Sequence, residues 1–378
     1  MNLTDDLRLT GDLRLTDDLR LPAVAALLAA VGAAAFGPAW FPLALAAPAV
    51  LFAVTGAQVA AALDRARPTV WGAVGAHLRR VLVAVWITAA GALATVMAEG
   101  ERPLDPALGA PLDPAAIWWV LPLAEPPVSP SSMPWAAGAW FARTTLVLMV
   151  LSPALLWLYR RWPRRTLAAV PGLFLLEALG VVGFGGPDGQ ALRSVATYGG
   201  CWVLGFAHHD GWGRVLSARW VRPLALALAV GMAWWLDASG LVGPTPATTA
   251  PAPARMVFGL AVTLLVLRAP WPQVSWVPPL SMQAIAGYLW HVVAVDAVRR
   301  VLERWVDPGS TTGRAAAVVA IAAVIVLVSA VAGRPSAGRL TPIRASGSAR
   351  PWHLTRPRWG RTALRTAGSG ANHPPTTV

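Results

Sequence analysis

Two side chains in one apolar segment have the types and spacing that proton transfer requires. His291 stands within Gly287-Tyr-Leu-Trp-His291, and Tyr288 precedes it by three residues, so a helix places both on one face. A neutral imidazole there could take a proton from a hydroxyl, as a general base does. Alternatively, the histidine bonds to a neighbouring helix and only holds the helices together. The residues alone leave both interpretations open.

Glu177 is the acid that lies farthest from the ends of any apolar segment. Its carboxylate could orient a histidine or bind a substrate hydroxyl, or it could pair with an arginine such as Arg143. Asp296 follows His291 by five residues, about 140° around a helix, so it is a poor partner for the imidazole. We expect Asp296 to pair with Arg300 instead.

The basic sequence His77-Leu-Arg79-Arg80 is typical of an inner membrane boundary, although Arg79 and Arg80 could also hold a phosphorylated donor. Three polar residues, His208, His209 and Asp210, follow one another at the end of a later apolar segment. Adjacent histidines cannot both face one ion from a regular helix, so we predict no metal site and interpret the trio as a solvated turn. Cys201 is the only cysteine, which excludes an intrachain disulfide and a cysteine metal cluster.

About ten apolar segments must position these residues. The composition agrees, since the chain is 56% hydrophobic and 13% charged, with a mean hydropathy of +0.55. The apolar runs are continuous and not alternating, which predicts helices that cross a membrane. We therefore predict an all-α fold, a polytopic integral membrane helical bundle. The predicted spans are 22–36, 42–63, 78–98, 138–159, 166–184, 191–207, 221–241, 255–269, 279–300 and 314–333.

The arginine distribution predicts the orientation of these spans. The chain contains no lysine, and a cytoplasmic N-terminus places 23 of its 31 arginines on the inner side. We therefore predict a multi-pass protein of the cell membrane with both termini in the cytoplasm. The weak point of this count is the connection 301–313, whose flanking arginines fall on the outer side.

Two segments flank the predicted transmembrane domain, 22–333. Residues 1–21 form a charged six-residue repeat, and residues 334–378 form a basic tail that we expect to be disordered. The net charge of +13 is spread over short connections and forms no aromatic-interleaved patch, so we predict membrane lipids as partners and no nucleic acid.

Several stretches resemble the acyltransferase-3 family of integral membrane acyltransferases, and together they cover roughly residues 20 to 333. Each stretch is short. The first is Pro48-Ala-Val-Leu-Phe-Ala-Val-Thr-Gly56 with the small-residue helix that follows it, and the second is the arginine-rich start of the third span, Trp71-Gly-Ala-Val-Gly-Ala-His-Leu-Arg79-Arg80. The others are Trp140-Phe141, Leu151-Ser-Pro153 and Gly287-Tyr-Leu-Trp-His291.

This resemblance implies a function and a set of roles. The family moves acyl groups from a cytoplasmic acyl thioester to hydroxyls of glycans, lipids or small metabolites. It implies acyl-CoA as a co-substrate, with no resident cofactor, and a hydroxylated acceptor as a partner. Arg79 and Arg80 then contact the donor. From the residues themselves, His291 is the candidate base, Glu177 its candidate orienter and Tyr288 the candidate acceptor contact.

One departure from the family pattern supports an alternative. Family members usually carry a first-span histidine about eleven residues after an arginine, and here Val31 stands at that distance from Arg20. The alternative is a catalytically inactive relative that binds or transports a lipid-linked or acylated molecule, with the interruptions at Gly37-Pro38, Pro42 and Pro48 lining its path. A membrane scaffold without a small-molecule ligand is a third possibility.

Overall fold

A computed structural model describes residues 19–36, 41–66, 69–99, 133–178, 186–211, 221–238, 252–269, 271 and 281–302, and isolated positions between 310 and 323. All of them belong to Met1–Arg334, one of two units into which the chain divides. The described part is helical throughout and contains no strand. Its helices are α1 (Arg20–Phe36), α2 (Phe41–Arg65), α3 (Val70–Glu99), α4 (Met133–Ala136), α5 (Ala139–Arg161), α6 (Pro163–Ala178), α7 (Gly186–His209), α8 (Val221–Ala238), α9 (Ala252–Arg268) and α10 (Ser281–Leu302).

The prediction of an all-helical protein is confirmed for the described residues. Nine of the ten predicted apolar segments coincide with helices, and α4 is a single turn that precedes α5. The tenth segment, 314–333, lies outside the described residues except at isolated positions.

Three helices are long and apolar enough to cross a membrane: Leu45–Arg65 in α2, Val70–Thr95 in α3 and Ala139–Arg161 in α5. Large apolar side chains are also exposed on the outside of the bundle, among them Trp86 on α3, Trp157 on α5 and Trp234 on α8. Both observations are consistent with membrane association, because lipid can cover apolar surface that water would not.

The centre of the bundle is the contact between α2 and α7, where small residues let two backbones meet. A Cβ atom on Gly205 would lie 2.7 Å from the backbone nitrogen of Ala57 and closer still to the carbonyl oxygen of Ala53. A Cβ atom on Gly56 would likewise overlap the carbonyl oxygen of Trp202. Helices that approach this closely need glycine at the points of contact.

Two helix ends that matter for the site have local causes. Helix α5 ends at Arg161 because Trp162 leaves the helical conformation (φ −138°, ψ 68°), as expected of a residue before proline. Helix α7 ends in a turn at Gly211, whose φ of +77° suits glycine. These turns fix the side chains of the last residues of both helices.

Two of the three predicted helix interruptions fall within one continuous helix. Pro42 and Pro48 lie within α2, which runs without a break from Phe41 to Arg65. Gly37-Pro38 lies outside the described residues. The two prolines therefore do not break α2 into half-helices.

Candidate functional site

His291 lies in the middle of α10 and is 8% exposed. Its Nδ1 hydrogen-bonds to the backbone carbonyl oxygen of Tyr288, one turn earlier. Since a carbonyl can only accept, Nδ1 carries the proton in the neutral ring, and Nε2 is left as the atom that can accept one. Among the residues that the structure describes, no second hydrogen-bond partner of His291 is found. The ring is held by its own helix.

The ring of Tyr288 contacts this imidazole and connects it to a cluster of further aromatic rings. The ring centroid of Tyr288 lies 4.7 Å from that of His291 and 4.4 Å from that of Phe141. Trp140 stacks on Tyr198 at 5.4 Å, and the Phe52 centroid lies 4.7 Å from that of Phe141. We call these six residues the aromatic site. It joins α2, α5, α7 and α10.

Arg79, a predicted contact of the acyl-CoA donor, lies far along α3 from the aromatic site. Gly91 on α3 packs against the ring of Trp135, and Trp135 lies 5.6 Å from Trp290, the neighbour of His291. Arg79 precedes Gly91 by twelve residues, which places it about 18 Å farther along α3. The Arg79 side chain is exposed, and the side chain of Arg80 lies outside the described part of the chain.

The other sequence-based pairings have mixed outcomes. The Asp296–Arg300 pair is confirmed, with Arg300 Nε 2.9 Å from Asp296 Oδ2 on an exposed face. Arg143 is buried in α5. Glu177 belongs to α6, but its side chain lies outside the described part, so its pairing with Arg143 and its role beside a histidine stay predictions.

A second cluster of chemically capable side chains joins the last turns of α2, α5 and α7. The Arg160 guanidinium donates two hydrogen bonds to each of two carboxylates. Its Nη1 and Nη2 lie 2.8 and 2.7 Å from Asp64 Oδ1 and Oδ2, and its Nε and Nη2 lie 2.9 and 2.7 Å from Asp210 Oδ2 and Oδ1. His209 Nε2 lies 3.1 Å from Asp64 Oδ2. We call these four residues the ionic clasp.

The ionic clasp corrects the interpretation of residues 208–210 as a solvated turn. His209 is only 8% exposed and bonds to a carboxylate 145 positions earlier, while Asp210 stays exposed. Sequence reasoning missed Asp64 and Arg160 because each looks like an ordinary polar residue at a helix end. The available signal was that predicted spans 42–63, 138–159 and 191–207 all end on the same side of the bundle, so their terminal charges can meet.

Ligand atoms of Asp64, His209 and Asp210 lie within 4.8 Å of one another, a spacing that could suit a metal ion. However, Arg160 already donates to all four carboxylate oxygens. A guanidinium bonded in this forked manner supplies the positive charge that a metal ion would otherwise bring. The donor set therefore fits a structural ion network better than a metal centre.

The ionic clasp and the aromatic site lie at different depths. Phe141 and Arg160 are nineteen residues apart on α5, and Phe52 and Asp64 are twelve apart on α2. At 1.5 Å per residue the two regions are separated by on the order of 20 Å along the helix axes. They are two separate regions.

Buried hydroxyls near both regions are bonded to their own helices. Thr55 donates to the carbonyl oxygen of Leu51 at 2.7 Å, and Thr144 and Thr145 do the same one turn back along α5. Ser152 donates to the Leu148 carbonyl oxygen at 2.7 Å and accepts from Trp202 Nε1 at 3.0 Å. No base lies beside them to activate a nucleophile in the described residues. Their geometry favours structural roles.

Comparison with known proteins adds no assignment: no family model, no curated protein and no solved structure matches this chain. The class of the molecule, an all-helical protein with helices that could cross a membrane, therefore follows from its own residues and geometry.

Proposed function

We propose that this protein is a membrane-bound acyltransferase that moves an acyl group from an acyl-CoA donor to a hydroxyl of a glycan, lipid or small metabolite. His291 is the general base, and the aromatic site surrounds the reaction. The protein crosses the cell membrane about ten times, with both termini in the cytoplasm, as the arginine distribution favours.

One contact carries this proposal more than any other. Val31 stands where the acyltransferase-3 family usually has its histidine, and it packs in one apolar cluster with Ala294 and Val298 of α10. These two residues follow His291 by three and seven positions, so all three share one face of α10. His291 thus lies on the face of α10 that meets Val31, about one turn before the contact. This placement supports a base that has moved to the neighbouring helix.

The reaction follows from the protonation state of His291. The Nε2 lone pair takes the proton of the acceptor hydroxyl while the hydroxyl oxygen forms a bond to the thioester carbonyl carbon. The carbon–sulfur bond then breaks, and the CoA thiolate takes the proton back from the imidazolium. Tyr288 positions the acceptor, and the phosphates of CoA lie at Arg79 and Arg80, so that its long pantetheine arm runs toward the aromatic site.

The test is transfer from radiolabelled acetyl-CoA to a pool of hydroxyl acceptors by purified protein in detergent. His291→Gln keeps a polar side chain of similar size but lacks a base, and we expect the rate to fall by about 10² to 10⁴-fold. His209→Gln is the matched control, because His209 is equally buried, at 8% exposed, and its Nε2 lies 3.1 Å from Asp64 Oδ2, away from both the aromatic site and the donor contacts. It should retain transfer.

Two outcomes would argue against this proposal. Full transfer by His291→Gln excludes His291 as the base. No transfer by folded native protein across donors and acceptors favours the inactive relative that binds or transports an acylated molecule. The continuity of α2 through Pro48 removes part of the support for that alternative.

A further inference from the structure

The corner between α5 and α6 combines exposed cations with exposed aromatic rings. Arg161, Arg164 and Arg165 are all exposed, and Trp157 and Trp162 are 59% and 41% exposed. The Arg161 guanidinium lies over the Trp162 ring at 5.9 Å, and the two tryptophan rings meet edge to face at 5.9 Å. We call these five residues the basic corner.

The backbone of the basic corner is fixed by its own hydrogen bonds. Trp162 N–H donates to the Leu158 carbonyl oxygen at 2.8 Å, and the Trp162 carbonyl oxygen accepts from Thr166 N–H at 2.9 Å and from its hydroxyl at 3.0 Å. Pro163 opens α6 at a position where a missing N–H costs nothing. The side chains therefore project from a preformed turn.

The charge of the basic corner has no acidic partner among the residues that the structure describes. Arg160 is consumed by the carboxylates of Asp64 and Asp210, whereas no carboxylate in the described part of the chain lies within ion-pair distance of Arg161, Arg164 or Arg165. Three positive charges therefore stand where α6 follows the end of α5, and α5 is apolar enough to cross a membrane. Anionic headgroups are the complementary charge at that depth.

We infer that the basic corner is a binding site for the headgroup of an anionic phospholipid. The guanidinium groups of Arg161, Arg164 and Arg165 hold the phosphate, and the rings of Trp157 and Trp162 lie at the boundary between headgroup and acyl chain, where tryptophan is enriched. This inference is independent of acyl transfer.

The test is a titration of purified protein in detergent with phosphatidylglycerol or phosphatidylcholine, with bound lipid counted by native mass spectrometry. We expect the protein to bind phosphatidylglycerol more tightly. The triple variant Arg161→Gln, Arg164→Gln, Arg165→Gln should weaken that binding by at least about tenfold, since each surface arginine contributes about fivefold. The control triple variant Arg193→Gln, Arg222→Gln, Arg299→Gln removes the same charge from exposed positions outside the basic corner. It should stay within about twofold of the native protein, because these arginines do not contact the headgroup.

Several results would overturn the inference. Equal loss in both triple variants would show a diffuse effect of net charge. Equal binding of the two lipids, or displacement of phosphatidylglycerol by inorganic phosphate or CoA at matched concentration, would exclude a lipid headgroup as the specific ligand. If the triple variant does not fold, the single variant Arg164→Gln serves in its place, and an unchanged affinity there also contradicts the site.

Discussion

The aromatic site and the ionic clasp each contain a buried histidine, but the two imidazole rings have different hydrogen-bond partners and neighbours. His209 bonds to the Asp64 carboxylate, which is itself bonded to Arg160. His291 bonds to a backbone carbonyl of its own helix and contacts the ring of Tyr288. The first imidazole serves a network that joins three helices, and the second keeps one nitrogen available as a proton acceptor.

This difference teaches that burial and ring chemistry do not by themselves identify a catalytic histidine. A carboxylate beside an imidazole often marks a catalytic pair, yet the Asp64 carboxylate is already engaged by a guanidinium in a forked geometry. On the proposed function, the clasp has a structural role and the aromatic site holds the reacting groups. Variants of the clasp should change stability more than transfer, and variants of His291 the reverse.

The largest expected effect on stability comes from Arg160→Met, which leaves the carboxylates of Asp64 and Asp210 close together without their cation. Although Asp210 reaches the surface, the side chains of Asp64 and Asp210 are each only 22% exposed, so we expect a loss of about 3 kcal/mol in the free energy of unfolding. Unfolding of the purified protein in SDS measures it. The control is Arg300→Met, which breaks an exposed pair within one helix and should cost less than about 0.5 kcal/mol. Equal losses in the two variants would contradict a structural clasp.

The second prediction concerns the contact between α2 and α7, two helices that contribute residues to both regions. Gly205→Ala places a Cβ atom against the backbone of α2, and we expect a loss of about 2 kcal/mol because neither backbone can move aside cheaply. Gly231→Ala on α8 is the control, since a Cβ atom there meets nothing within 4 Å and alanine favours a helix. The same unfolding measurement applies. A neutral Gly205→Ala would contradict the close backbone contact between α2 and α7.

The smallest effect concerns the polar contact between the two regions. Ser152→Ala leaves the buried Trp202 Nε1 without its acceptor, at a cost of about 1 to 2 kcal/mol. Thr88→Ala is the matched control, because the Thr88 hydroxyl bonds only to the Ala84 carbonyl oxygen of its own helix. Unfolding in SDS reports on both variants. If the two alanine substitutions cost the same, the indole contact contributes nothing measurable.

The helices were predictable where apolar runs are long. Segments 42–63 and 138–159 match α2 and α5 within a few residues, because a continuous apolar run specifies a helix locally. The face of α10 that carries Tyr288 and His291 followed from the helical repeat alone.

The lateral contacts were not predictable in the same way. Arg160 meets Asp64 and Asp210 across separations of 96 and 50 residues, and no local periodicity reports which helices are neighbours. The close contact at Gly205 also depends on the crossing of two helices. Knowing on which side each span ends would have restricted the partners of Asp64, but only the packing of α2, α5 and α7 selects them.

The most direct test of the account compares one variant from each region in the same two assays. His291→Gln and His209→Gln are each measured for acyl transfer from acetyl-CoA and for unfolding in SDS. The account predicts that His291→Gln loses transfer by about 10² to 10⁴-fold with stability nearly kept, while His209→Gln keeps transfer and loses about 1 kcal/mol of stability. Loss of transfer in His209→Gln with full transfer in His291→Gln would contradict the assignment of the two regions.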